Sequence, residues 1–180
     1  MSKTKFITRT AVILALAIIF QNLRYFIGAM PYSTYIIGSL VNLSIIVATG
    51  AVGLVSGLII SFVTPVVALF QGHLPHVYLM PVTMLGNAVL ATVFYVFKRS
   101  RFAEPFNAFL GVAVGAVIKW IVMYWVGIVV VLRMFVPNLP PQKVTIISAA
   151  FNIPQIITAL IGGVLGIIII KALKRKNSVD

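Results

Sequence analysis

The sequence predicts an all-α integral membrane protein, with six transmembrane helices in a single compact bundle and both termini cytoplasmic. Three observations predict this. Hydrophobic residues make up 61% of the 180 residues and charged residues 9%, with a mean hydropathy of +1.13. A soluble domain is instead near half apolar and about a quarter charged. The apolar residues fall in continuous runs, not in the period-2 alternation of a transmembrane β-barrel. The basic residues fall in clusters, and counting the runs places those clusters on one side.

A membrane-spanning helix needs about 20 mostly apolar residues. The first run extends from Thr8 to Phe26, behind a basic start at Lys3, Lys5 and Arg9. Gln21-Asn22-Leu23-Arg24-Tyr25 offers no small-residue cleavage site, so a span is expected and not a cleavable signal peptide. The second run extends from Tyr35 to Thr49 and the third from Ala51 to Phe70. Together they are too long for one span, so Thr49-Gly50-Ala51 is expected to be a tight reversal. The fourth runs from Val77 to Phe97, the fifth from Ala108 to Leu132 and the sixth from Val144 to Ile170. No repeat, low-complexity tract or linker interrupts them, so residues 1–180 read as one transmembrane domain.

Six spans put both termini on one side. That side holds Lys3, Lys5, Arg9, Lys98, Arg99, Arg101, Lys171, Lys174, Arg175 and Lys176, ten of the 14 basic residues. The other side holds Arg24, Arg133 and Lys143, and Lys119 falls within helix five. Basic residues favour the cytoplasm. The net charge of +12 is therefore mostly a topology signal and a contact with anionic lipid heads, and no nucleic-acid partner is expected. The outer loops, 28–33, 71–76 and 133–143, are rich in Pro, Gly and aromatic residues, which suits gating a pocket.

Polar groups in hydrocarbon are costly and tend to face the interior of a bundle. Gln21, Asn42, Asn87, Asn152, Gln155 and Lys119 all fall roughly 8 to 20 Å below the outer surface at about 1.5 Å per residue. Asn152 and Gln155 share a face at i,i+3, while Thr83 with Asn87 and Gly38 with Asn42 share faces at i,i+4. Such a layer could receive a small polar ligand or act as glue between helices. Lys119 has no intramembrane acid, because the only acids are Glu104 and Asp180. It could meet a ligand oxygen or protein amides, or it could snorkel to an interface. Trp120, Tyr124 and Trp125 could form an aromatic belt or stack on a ligand. His73 and His76 lie on an outer loop without further metal ligands, so no metal and no cofactor is expected.

Several functions are excluded by what is missing. The spans hold no carboxylate for ion coupling. There is no GxxxxGK[ST] nucleotide site and no paired-carboxylate, HExxH or GxSxG signature, so an enzyme is not expected. There are no cysteines for thiol chemistry. What remains is a binder that borrows energy from partners.

Six helices, cytoplasmic termini and the motif Ala11-Val12-Ile13-Leu14-Ala15 resemble the substrate-binding S-components of energy-coupling factor (ECF) vitamin transporters. Gly38-Ser39-Leu40-Val41-Asn42, Thr64-Pro65, Gly86-Asn87 and the run from Pro154 to Gly163 are similar to the same family, so the resemblance covers nearly the whole chain. It implies that the Ala11/Ala15 face docks on a transmembrane T-component, itself bound to two ATP-binding cassette ATPases. Small residues at that spacing let another helix approach closely. It implies a multi-pass protein of a prokaryotic cytoplasmic membrane that binds a vitamin or precursor near its outer side and topples to deliver it inward. The implied ligand-binding residues are Asn42, Gln71, His73, Asn87, Lys119, Tyr124, Asn152 and Gln155. A hydroxymethylpyrimidine or pyridoxine-type ring is the first expectation, with cobalamin or pantothenate as others, pantothenate setting its carboxylate against Lys119 or Arg24. The alternative is a structural membrane protein of the cell-shape and wall machinery, similar to the MreD type, with a dry and ligand-free bundle.

Overall fold

The computed structural model describes residues 1–28, 32–100 and 105–176. Ala29, Met30, Pro31, Arg101, Glu104 and Asp180 from the sequence reading lie outside the described residues. The first helix, α1, spans Lys3–Ile27, and the Ser2 hydroxyl caps it by accepting from the Lys5 amide at 3.4 Å. Helix α2 (Ser33–Val47) widens into a π-helical turn at Ala48–Val52.

The reversal expected at Gly50 falls three residues later. Gly53 takes φ 142°, a conformation that L side chains rarely adopt. Gly50 is needed for closeness instead: a Cβ there would sit 2.2 Å from the Ile170 side chain. Helix α3 (Leu54–Phe70) follows, with Pro65 inside it. At 17 residues it is shorter than the five helical stretches that are long and apolar enough to cross a membrane.

Helix α4 is Leu79–Lys98. Helix α5 (Phe106–Ile121) continues as a π-helical stretch, Val122–Leu132, and a last turn, α6 (Arg133–Phe135). The expected sixth span is in two pieces, α7 (Pro141–Ala150) and α8 (Ile153–Lys176). Pro154 is the cause. It has no N–H to donate to the Ala150 carbonyl, and the Gln155 amide donates there in its place at 3.0 Å.

Contacts along the helices give their directions. The Thr10 hydroxyl bonds the Ser56 hydroxyl at 2.9 Å and the Gln21 amide bonds the Thr64 carbonyl at 3.0 Å, so α1 and α3 run parallel. Gly38 meets Thr158, Gly166 meets Ile46 and Gly50 meets Ile170, so α2 and α8 run parallel. Gly86 meets Met123, Gly115 meets Leu90 and Gly111 meets Phe97, so α4 and α5 run antiparallel. One end of the bundle thereby gathers Lys98, Pro105, Lys171 and Lys174, and the Lys98 ammonium donates to the Gly50 carbonyl. The main core lies toward this basic end, where Ile46, Leu90, Phe94, Val112, Ile167 and Ile170 pack together.

Candidate functional site

Away from the basic end a cavity of about 420 Å³ opens between the helices. The α3–α4 loop forms its rim with Gly72, His73, Leu74 and Pro75. Gly72 ends α3 at φ 69°, where the His73 amide reaches back to the Ala68 carbonyl at 2.8 Å and the Gly72 amide to the Leu69 carbonyl at 3.0 Å. This paired closure satisfies carbonyls that the helix end would leave open, and it fixes where His73 sits. The Tyr25 ring packs on His73 with centroids 5.4 Å apart. Burial first, and then the nearby Arg24 guanidinium, hold the His73 pKa below the usual imidazole range.

The deep wall is polar. The Lys119 ammonium donates to the Asn42 Oδ1 at 2.6 Å and to the Asn87 Oδ1 at 2.8 Å. The Asn42 Nδ2 donates to the Thr158 hydroxyl at 3.2 Å, and that hydroxyl donates to the Gln155 carbonyl at 3.3 Å. One lysine thus ties α2, α4, α5 and α8 at a single level. Lys119 is only 3% exposed, so it does not snorkel to an interface. Gly86 lets α5 approach here, because a Cβ at that position would lie 2.6 Å from the Met123 side chain.

Five of the residues expected from sequence line this cavity: Asn42, His73, Asn87, Lys119 and Gln155. The other three lie outside its lining. The Gln71 amide donates to the Asn22 Oδ1 at 3.1 Å. Asn152 accepts from the Trp120 indole at 2.9 Å. Tyr124 stacks on Trp120 with centroids 6.3 Å apart and packs on a cluster of Leu79, Met123 and Phe151. Trp125 is 55% exposed and meets Tyr124 edge-on, so it belongs to the outside of the bundle.

The cavity also uses Arg24, together with Thr34, Thr158, Met123 and Phe151, of which the last four were not assigned to a site from sequence. Thr158 carried a usable signal, since it stands three residues after Gln155 and so shares its face. Thr34 and Phe151 carried none, because hydroxyl and aromatic residues are too common in apolar helices. A volume near 420 Å³, mostly apolar walls and a few fixed polar groups describe a small-molecule site. No group of three or more metal-ligating side chains exists among the described residues.

The family model for the substrate-specific component of ECF transporters matches residues 5–173. No curated protein and no solved structure matches the chain significantly. The matched stretch begins in the first turn of α1 and ends in the last turns of α8, so every helix of the bundle falls inside it. The chain belongs to the substrate-specific components of ECF transporters, the membrane-integral substrate-binding subunits of these importers.

Proposed function

We propose that the cavity is the binding site for a vitamin or vitamin precursor, with Asn42, Asn87, Lys119, Gln155 and His73 as contacting residues. One observation carries this reading: a lysine held by two asparagines at the bottom of a cavity of about 420 Å³. Polar groups gathered inside a membrane bundle are costly and mark ligand pathways. Gln71, Asn152 and Tyr124 act behind the wall, fixing α1 against the loop and α5 against the α7–α8 break. The volume suits a single substituted ring or a short chain and is too small for cobalamin. A dry structural bundle of the cell-shape type has no use for such a cavity.

The site lies in one unit spanning the whole chain, a multi-pass protein of the cytoplasmic membrane. Its partners are a T-component and two ATP-binding cassette ATPases, which supply the energy for toppling and inward delivery. Ala11 and Ala15 support this role, since both are exposed on α1 while Ala17, two positions on, is fully buried. Small exposed residues four apart admit a partner helix.

The test is a vitamin screen on the purified chain by tryptophan fluorescence. Trp120 reports well because its indole bonds Asn152, beside Phe151 of the cavity wall. Tight binding of one small vitamin is expected, and silence across the panel would refute the site. Ala11→Trp is expected to abolish assembly and uptake while leaving ligand binding intact. Uptake that survives it would refute the docking face.

A further inference from the structure

Lys119 is the most buried charge among the described residues, and its partners are two neutral amide oxygens. Their distances of 2.6 and 2.8 Å are those of charge-assisted hydrogen bonds. Amide oxygens solvate an ammonium but do not neutralise it. A second cation, Arg24, lines the same cavity. The chain has only two acids, Glu104 and Asp180. Their neighbours in sequence, Pro105 and the end of α8, stand at the basic end, away from the cavity. The cavity therefore carries positive charge that no carboxylate of the chain's described spans balances. A buried charge without its counter-charge is unfavourable, so an anion entering from outside gains by pairing with it.

The donors say what kind of group supplies it. An ammonium has three N–H donors, and the two asparagines take two. Lysine offers no acceptor, so Asn87 must turn its oxygen toward Lys119 and its NH₂ away. That NH₂ has no hydrogen-bond partner among the described residues. The third Lys119 N–H and the Asn87 NH₂ are thus neighbouring unspent donors on two residues that line the cavity. Two adjacent donors match the two oxygens of a carboxylate.

We infer that the cavity takes a small monoanionic ligand, its carboxylate held by Lys119 and Asn87 and its approach favoured by Arg24. The inference rests on the cavity being the ligand site. Ile37, Val41, Met123 and Phe151 supply apolar wall for the body of such a ligand. A positively lined cleft also raises the association rate of an anion, in a salt-dependent way.

The experiment uses matched pairs on the full-length chain in nanodiscs: pantothenate against panthenol, and nicotinate against nicotinamide, with pyridoxine and inorganic phosphate alongside. At least one carboxylate is expected to bind about 100-fold or more tightly than its neutral twin, the effect of unpairing a buried charge. Lys119→Met is expected to erase that preference. Asn87→Asp places a counter-charge beside Lys119 and is expected to abolish carboxylate binding while the protein melts no earlier than the parent. Equal binding of a neutral twin, phosphate displacing the carboxylates, or no carboxylate bound at all would each overturn the inference. Copurification with a T-component and ATPases reads the transporter assignment separately, so the two failures are distinguishable.

Discussion

The two halves of the bundle are held together by different means. Toward the basic end, helices pack closely through glycines. A Cβ on Gly166 would lie 2.7 Å from the Ile46 side chain and 3.5 Å from the Leu43 carbonyl oxygen. A Cβ on Gly163 would lie 2.2 Å from Val112. The side chains between them, Ile46, Phe94, Val112 and Ile167, are almost fully buried. In the other half the helices stand apart around a cavity, and Lys119, Asn42, Asn87 and Thr158 span the gap with hydrogen bonds. Lipid tails are as apolar as leucine, so a membrane bundle lacks the hydrophobic drive of a soluble core. It can gain cohesion by close packing or by polar bonds, and here each half relies on one of them. The packed half is a frame, and the bonded half is where something can be accommodated.

That contrast can be broken experimentally. The largest effect is expected from Gly163→Leu, because a Cβ there would already lie 2.2 Å from the stiff, β-branched Val112 side chain of the packed core. No monodisperse protein is expected on size-exclusion chromatography. Gly38→Ala in the cavity half meets the Thr158 side chain, its methyl nearest at 2.9 Å, and should remain folded. Equal damage from the two would mean that the halves are not held differently.

Asn42→Leu comes next. It removes one of two acceptors from a buried ammonium, and a hydrogen bond to a charged group is worth about 1.5–3 kcal/mol. Denaturant titration in mild detergent measures it, and a loss within error would show that Lys119 does not depend on its asparagines. Trp120→Phe removes one bond to Asn152, worth about 0.6–1.5 kcal/mol. A fall in Tm of only a few degrees is expected.

The smallest effect is at the rim. Burial and Arg24 depress the folded-state pKa of His73 below its unfolded value. The unfolded chain then binds the proton more readily, so stability is retained above the ordinary imidazole pKa and declines as pH falls through the folded one. His73→Gln should flatten that acid limb slightly, as followed by thermal melts across pH 5 to pH 8, roughly the range in which imidazoles titrate.

Much of the fold was legible in the sequence because its signals are additive. Apolar runs and basic clusters accumulate over many residues, and no single substitution hides them. The places where reading failed turned on single positions. Gly50 and Gly53 look alike in sequence, yet one serves a close approach and the other a turn, and only the position of Ile170 tells them apart. The last span looked continuous because its apolar character persists across Pro154, while its hydrogen bonding does not. The site was legible to the extent that depth could be counted. Asn42, Asn87 and Lys119 stand at one level, and the structure joins them directly. Depth carries no azimuth, however. Asn152 sits at the right level yet points to Trp120. Gln71 has the right loop, yet it bonds Asn22.

The amide that bridges the break before α8 has a consequence for coupling. Gln155 lines the cavity, and its single NH₂ is also the splint that occupies the carbonyl left open by Pro154. Ala150 and Phe151, on the other side of the break, line the same cavity. The NH₂ has two N–H donors, so one can hold the Ala150 carbonyl while the other is left for the cavity. The wall of the cavity and the joint between α7 and α8 thus share one side chain, and a substitution at Gln155 touches both at once.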